Sequence, residues 1–509
     1  MISSEPAPLT TAFMSATGRR WTLILIASCI CTSYLVLAAG RVTELSDVSY
    51  PVLASQFLRG RVSLPVEPDS RLAGLADPLS SPYGLLDASL YRGKYYLYFG
   101  PVPAVLLFAP YRLVTGHDLP EAVAVPVFCI GGYLASCALF FLLSKRKHWA
   151  VPFWLQCAVV TLLGTGSMVY QLFARVKIYE VAIAAGFCLI MGGFLALTEA
   201  CYRETSGSKF LIVAGLLFGS AVGCRPVLII VDVVVLVALA IRARRDFASI
   251  LAFMGPMVMV GIGLAWYNYV RFDSPFEFGR NYQVAGFDNA SIPHNVKTSL
   301  ACAGEFLFLP PRVLPEIPFL GFSQINPLPS RPGPALWTER MVGLFPAAPL
   351  TVLGFLFPLL WKRRRVTGPE DGADWILYTI YWSAVLIFVL FSAIGWVLAR
   401  YLVDFAPMLS FESVVVLALW ASSGEFLRGM RALRVVAVSA ALYCLVLNVA
   451  VGTPRLSKIL KFLHHEPVFE SELARPRDLP WIGEGGPEAL ISLPATQHAP
   501  DERFDANAG

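Results

Sequence analysis

Between residues 21 and 452 the chain is a succession of long apolar runs parted by short polar breaks. The runs fall at 21–39, 122–143, 151–171, 179–201, 210–224, 226–241, 248–270, 343–361, 374–396, 403–422 and 432–452. Each approaches the ~20 residues that cross about 30 Å of hydrocarbon at 1.5 Å per residue, or is short enough to need a neighbouring helix. This pattern predicts an all-α integral membrane fold of about eleven transmembrane helices. Runs 210–224 and 226–241 are counted separately because Arg225-Pro226 interrupts the apolar stretch between them.

Two breaks are too long to be connectors, 41–120 and 272–341. Loops of that length are functional or disordered. Their Tyr, Phe and Pro content argues for order: Tyr91, Tyr95, Tyr96, Tyr98 and Phe99 fall within nine residues. Interfacial aromatic belts account for part of this, and a wall facing lipid or sugar would account for the rest. After the last run, Leu456, Ile459, Leu460 and Leu463 recur at helical spacing with Lys458 and Lys461 opposite. That spacing predicts a short interfacial helix in an otherwise mobile tail, 453–509.

Composition agrees with lipid as the solvent. Apolar residues make up 56% of the 509 and charged residues 15%, against roughly 25% charged in a soluble domain. The net charge of +5 does not point to nucleic acid, because the basic residues cluster at the ends of apolar runs. If Arg19 and Arg20 hold a cytoplasmic segment 1–20 inside, the clusters Lys145/Arg146/Lys147, Arg203/Lys209, Arg242/Arg244/Arg245, Lys362–Arg365 and Arg428/Arg431/Arg434 all fall on the cytoplasmic side. The expected organisation is then one polytopic domain, 21–452, in the inner (cytoplasmic) membrane. Loops 41–120 and 272–341 and the tail 453–509 lie outside, and the first run is an uncleaved anchor. Eight of the ten cysteines sit in apolar runs, and no Cys-x-x-Cys, His-Glu-x-x-His or phosphate-loop motif is present. The common zinc, redox and nucleotide readings fall away with them.

The first long loop opens with E-L-S-D-V-S-Y-P-V-L-A-S-Q-F-L-R-G, residues 44–60. On a helix Asp47, Tyr50 and Ala54 share one face. Equally, Ser46 or Asp47 would serve as the N-cap of a surface helix. Inside the apolar runs, Asp232 and Glu412 are ionisable groups of the kind that is rare and often functional in membranes, although Asp232 is two helical turns from Arg225 and placed to pair with it. His464 and His465 are adjacent, which does not suit a two-His metal site on one helix.

The segment D-V-S-Y-P-V-L-A-S-Q-F-L-R-G resembles the first-loop signature of the GT-C class of membrane glycosyltransferases, an acidic residue followed by Tyr, Ala and Gly after the first transmembrane helix. L-Y-R-G-K-Y-Y-L-Y-F-G-P-V-P-A-V-L-L-F-A-P, residues 90–110, is similar to the second juxtamembrane segment of that class, and V-L-A-R-Y-L-V-D-F-A-P, 397–407, resembles its Arg-Tyr at the outer end of a late helix. The resemblance implies a large first outer loop with juxtamembrane helices and an inverting transfer from a polyprenyl-phosphate sugar to a lipid, polysaccharide or protein acceptor. It makes Asp47 the general base or acceptor-orienting carboxylate, with Glu44 beside it.

An enzyme facing away from the cytoplasm has no nucleotide sugars, so a membrane-anchored donor is also the physical expectation. Such a site needs a carboxylate for the acceptor's proton and cations for the departing phosphate. Arg400, Arg225, Lys94 and Arg92 are the candidate cations, and interfacial snorkelling is the alternative for each. Tyr50, Tyr98, Glu180 and Tyr401 are placed to line the cavity. The chain departs from the class pattern at Gly100, where some members carry Lys, and it has no close Asp-x-Asp. Glu44 and Asp47, three apart, leave open a shared divalent cation. A transporter or lipid flippase, or a non-catalytic GT-C-like assembly protein, is the competing reading. A transporter would be expected to show paired halves and interrupted helices, and no convincing internal repeat is evident.

Overall fold

The computed structural model describes residues 15–39, 46–75, 77–81, 83–174, 176–203, 207–242, 246–284, 295–315, 319–324, 340–364, 374–395, 397–422 and 430–452. Glu44, the interfacial-helix residues after 452 and the adjacent histidines lie outside them. The fold is predominantly helical, and among the described residues six helices are long and apolar enough to cross a membrane: α1 (Ala16–Ala39), α4 (Glu121–Arg146), α6 (Ile178–Tyr202), α9 (Phe247–Phe272), α14 (Asp374–Ile394) and, within α16 (Met430–Gly452), the stretch Arg431–Gly452. Shorter helices include α5 (Phe153–Thr165), α7 (Gly207–Val222), α10 (Val296–Phe308) and α15 (Ala406–Ser422). The chain is a multi-pass helical membrane protein.

All eleven apolar runs carry helix, but they are not eleven uniform spans. The run 343–361 is divided into α11 (Leu344–Ala347), α12 (Thr351–Phe355) and α13 (Phe357–Arg364). Pro346, Pro349 and Pro358 are the cause, since each removes a backbone donor and clashes with the preceding turn. The expected break at Arg225-Pro226 is present. Arg225 is extended (φ −143°, ψ 115°), a single turn Pro226–Leu228 follows, and α8 (Ile229–Arg242) starts only after that.

Helix α4 packs on α6, α6 on α7 and α7 on α9. Without a hydrophobic drive between helices in lipid, close backbone approach at small residues substitutes for it. Gly215 of α7 is the clearest case, because a Cβ there would overlap the backbone of Phe253 in α9. The other side of α9 exposes Met259, Ile262 and Trp266, as a face turned to acyl chains requires.

The first long loop is not purely helical. After α2 (Tyr50–Phe57), strands β1 (Ala88–Tyr91) and β2 (Lys94–Leu97) pair as an antiparallel hairpin. Its two-residue turn, Arg92 (φ 48°) and Gly93 (φ 71°), has positive φ at both central positions, the type I′ requirement that matches strand twist. Two further short two-stranded ladders, β3 (Arg312–Val313) with β4 (Leu320–Gly321) and β5 (Ser323–Gln324) with β6 (Arg340–Met341), also depart from the all-α expectation. Beyond the hairpin, a π-turn Ala104–Phe108 runs into α3 (Ala109–Thr115), whose Leu113 and Val114 are exposed. The first long loop thus holds two short helices, α2 and α3, with a hairpin between them.

The two long loops meet. Ser89 Oγ donates to Gly279 O at 2.8 Å, Val284 N to Ala88 O at 2.8 Å and Asp87 N to Val284 O at 3.1 Å. Arg271, buried at the end of α9, donates to Leu97 O at 2.8 Å and to Asn268 Oδ1 at 2.6 Å, fixing the base of the hairpin to the bundle.

Candidate functional site

The site begins at a contact between two glycines. Gly100 lies against the α7–α8 break so closely that a Cβ would overlap the Gly223 carbonyl oxygen, and Val102 N donates to that oxygen at 3.2 Å. Absence of a side chain at Gly100 is thus what lets the first loop reach Arg225, two residues further along. Tyr50 reinforces the junction: fully buried, its hydroxyl donates to Gly100 O at 3.2 Å and its ring stacks on Phe108 at 5.6 Å.

Arg225 is buried and lies 3.1 Å from Asp404 Oδ2. That carboxylate oxygen makes no well-directed hydrogen bond, so the contact is one of charge. The guanidinium faces the ring of Tyr401 at 5.1 Å, and that ring is stacked on Phe391 at 4.4 Å. Arg400, in the same turn Ala399–Asp404, is half-buried over the ring of Tyr179 at 4.2 Å. Both guanidiniums act on Asp404; burial nevertheless dominates and pushes its carboxyl up to about 6. Tyr98 lies within electrostatic reach of Tyr401, Arg280, Arg225 and Glu277, and burial raises its phenol. An apolar crevice lined by Phe187, Ile190, Leu228, Val403 and Met408 opens beside Asp404.

Arg225, Arg400, Tyr401 and Tyr98 are thus brought together from three distant parts of the chain. The carboxylates lie toward the other end of Tyr50, whose backbone N–H donates to Glu121 Oε1 at 3.1 Å. Glu121 in turn feels the charges of Glu180 and Lys177. Glu180 Oε2 accepts from Lys177 N at 3.1 Å, closing the first turn of α6. Asp47 is exposed, three residues ahead of Tyr50. It shares no helical face with Tyr50 and Ala54, because α2 starts only at Tyr50, and the N-cap position is Ser49, without a side-chain cap. Ser46 Oγ accepts instead from Val48 N.

Other candidates are placed elsewhere. Arg92 occupies the hairpin turn and pairs with Asp273 at 2.8 Å, and Lys94 is exposed on β2. Both sit at the tip, about 13 Å along four-residue strands from the Leu97 end that Arg271 holds. Asp232 does not pair with Arg225, because the extended residue at the break takes the two off a common helix. No group of three His, Cys, Asp or Glu side chains suited to a metal occurs among the described residues, and Glu44, which would share a cation with Asp47, lies outside them. Sequence reasoning missed Asp404, although it lies in the segment 397–407, and missed Glu121, Tyr179 and Asp87. Of these, Tyr179 had a local signal, sitting beside Glu180 at the helix end.

No protein-family model and no curated protein matches the chain. Solved structures similar to it include ArnT from Cupriavidus metallidurans bound to undecaprenyl phosphate, at 13% identity over 88% of this chain and 79% of that one, TM-score 0.45. The same ArnT in the apo state matches at 13% identity over 86% and 78%, TM-score 0.45. The archaeal oligosaccharyltransferase AglB from Archaeoglobus fulgidus, in complex with an inhibitory peptide and a dolichol-phosphate, matches at 12% over 89% of this chain and 59% of that one, TM-score 0.44. These neighbours are of the GT-C class that the three loop segments resemble, and at such identities and scores the likeness is loose.

Proposed function

We propose that the chain is a membrane glycosyltransferase that moves a sugar from a polyprenyl-phosphate donor to a lipid, polysaccharide or protein acceptor on the outer face of the inner membrane. The observation that supports this best is the convergence of Arg225 and Arg400, from segments 175 residues apart in the sequence, around Tyr401 and Asp404. Two guanidiniums offer the planar donors that a phosphate takes.

In the reaction the acceptor oxygen bonds to the anomeric carbon, the bond from that carbon to the phosphate oxygen breaks, and its electron pair stays on the phosphate. The phosphate gains one negative charge as it leaves, which Arg225 and Arg400 stabilise. Asp47 takes the proton of the acceptor hydroxyl, and attack opposite the leaving group inverts the anomeric centre.

The test is purified protein with a panel of polyprenyl-phosphate sugars, comparing wild type with Asp47→Asn. Transfer is expected to fall by about 10²-fold or more with unchanged insertion and melting, because Asp47 caps no helix. Near-normal transfer would remove Asp47 and turn attention to Glu121 and Glu180. A second reading, a proton-coupled transporter or flippase, is favoured by Asp232 and Glu412. Both are buried, and both carboxylate oxygens of Glu412 and Oδ1 of Asp232 find no hydrogen-bond partner among the described residues. Proton flux in proteoliposomes that is lost in Glu412→Gln would support it over transfer.

A further inference from the structure

Asp87 ends the approach to β1 with φ +65°, a backbone state that costs most L-residues and that Asp and Asn tolerate best. One carboxylate oxygen accepts from the hydroxyl of Tyr179 at 2.5 Å, and Gln283 Nε2 reaches that hydroxyl at 3.5 Å. The other oxygen takes no donor from the described residues. Phe99 stands edge-on to the Tyr179 ring at 4.4 Å, while the guanidinium of Arg400 covers that ring at 4.2 Å. The carboxylate is therefore one phenol ring away from a proposed phosphate cation. Asp87, Tyr98, Tyr179, Arg400 and Tyr401 are all half-buried, whereas Arg225 and Asp404 are buried.

We infer that Asp87, steered by Tyr179, recognises hydroxyl groups of the sugar carried by the donor. This rests on the proposed function: with the phosphate at Arg400, the sugar attached to it comes within reach of the Tyr179 side chain that Arg400 covers and of the Asp87 carboxylate bonded to it, and its hydroxyls begin on the carbon next to the one that carries the phosphate. A carboxylate with an open oxygen takes hydroxyl donors, and Phe99 and Tyr179 offer apolar edges to the C–H face of a pyranose. Asp87 is on this account a specificity residue that touches substrate, and Tyr179 a positioning residue that also supports Arg400.

Two probes separate the sugar from its carrier: polyprenyl phosphate without sugar, and the polyprenyl-phosphate hexose turned over most rapidly in the panel. Asp87→Asn keeps the backbone state, because Asn also tolerates positive φ. It is expected to bind the bare phosphate within about twofold of wild type, while its affinity for the hexose donor drops by about 10-fold or more, the range of a charge-assisted hydrogen bond. Tyr179→Phe removes only the steering hydroxyl and is expected to give a smaller loss, again for the hexose donor alone. Equal weakening toward both probes would make Asp87 a structural anchor of the hairpin, and no change toward either would remove it from the site; both outcomes overturn the inference. Wild type that binds neither probe would overturn the proposed function itself.

Discussion

Phosphate binding at Arg225 is predicted to depend on pH, because Arg225 is in contact with Asp404, whose carboxyl burial holds above the usual carboxylate range. Asp404 holds its proton up to about pH 6, whereas an unfolded aspartate releases it near ~3.9. The folded protein then binds the extra proton between those values, so this group's contribution to stability falls as pH rises from about 4 to about 6 and is level above. The same ionisation competes with phosphate for Arg225. Affinity for a phosphodiester lipid, which does not titrate in this range, should therefore fall as pH rises from 5 to 7, and in Asp404→Asn it should stay near the low-pH value. An unchanged slope in the variant would assign the pH effect elsewhere. Arg400→Ala should weaken donor binding without loss of folded protein, and Arg400→Lys should recover only part of it, since an ammonium replaces a planar fork with a point charge. By contrast, Arg92→Ala should leave transfer unchanged and stability within about 1 kcal/mol, because its pair with Asp273 is solvent-exposed.

Among the elements, the junction between the first loop and the α7–α8 break is the most sensitive point. Gly100→Ala would drive a methyl into the Gly223 carbonyl, and overpacking of this kind costs about 1–3 kcal/mol. It is expected to lower the melting temperature in detergent and to abolish transfer, whereas Gly255→Ala in α9, where a Cβ meets nothing within 4 Å, should be neutral or slightly stabilising. Much of this architecture was legible in the sequence, because bilayer thickness imposes a run length and Arg225-Pro226 an interruption. The hairpin was not, although Arg92-Gly93 between strand-forming residues is its signal; the aromatic crowding at 91–99 masked it behind an interfacial reading. Asp404 was hidden for a different reason. Its partner is 179 residues away in the sequence, and no local pattern reports a pairing that only the packing of α6, α8 and the Ala399–Asp404 turn creates.

For the molecule as a whole, the clusters of Lys and Arg predict that residue 74 and residue 148 face opposite sides of the membrane. Single cysteines placed at Gly74 and His148 in a background lacking the native ten should label from outside only at 74. Labelling at 148 instead would invert the topology and move the candidate site to the cytoplasm. The contact between the two long loops also has a consequence for biogenesis. Ser89 and its acceptor Gly279 are 190 residues apart, and ribosomes add about 5–20 residues each second, so the hairpin emerges roughly 10–40 s before the chain it docks against has been synthesised. During that interval its edge, with Ser89 and Leu97 unpaired to their later partners, is open to proteases and chaperones. Nascent chains arrested before Arg271 should be cut in the first loop, and chains arrested well past Val284 should be protected there.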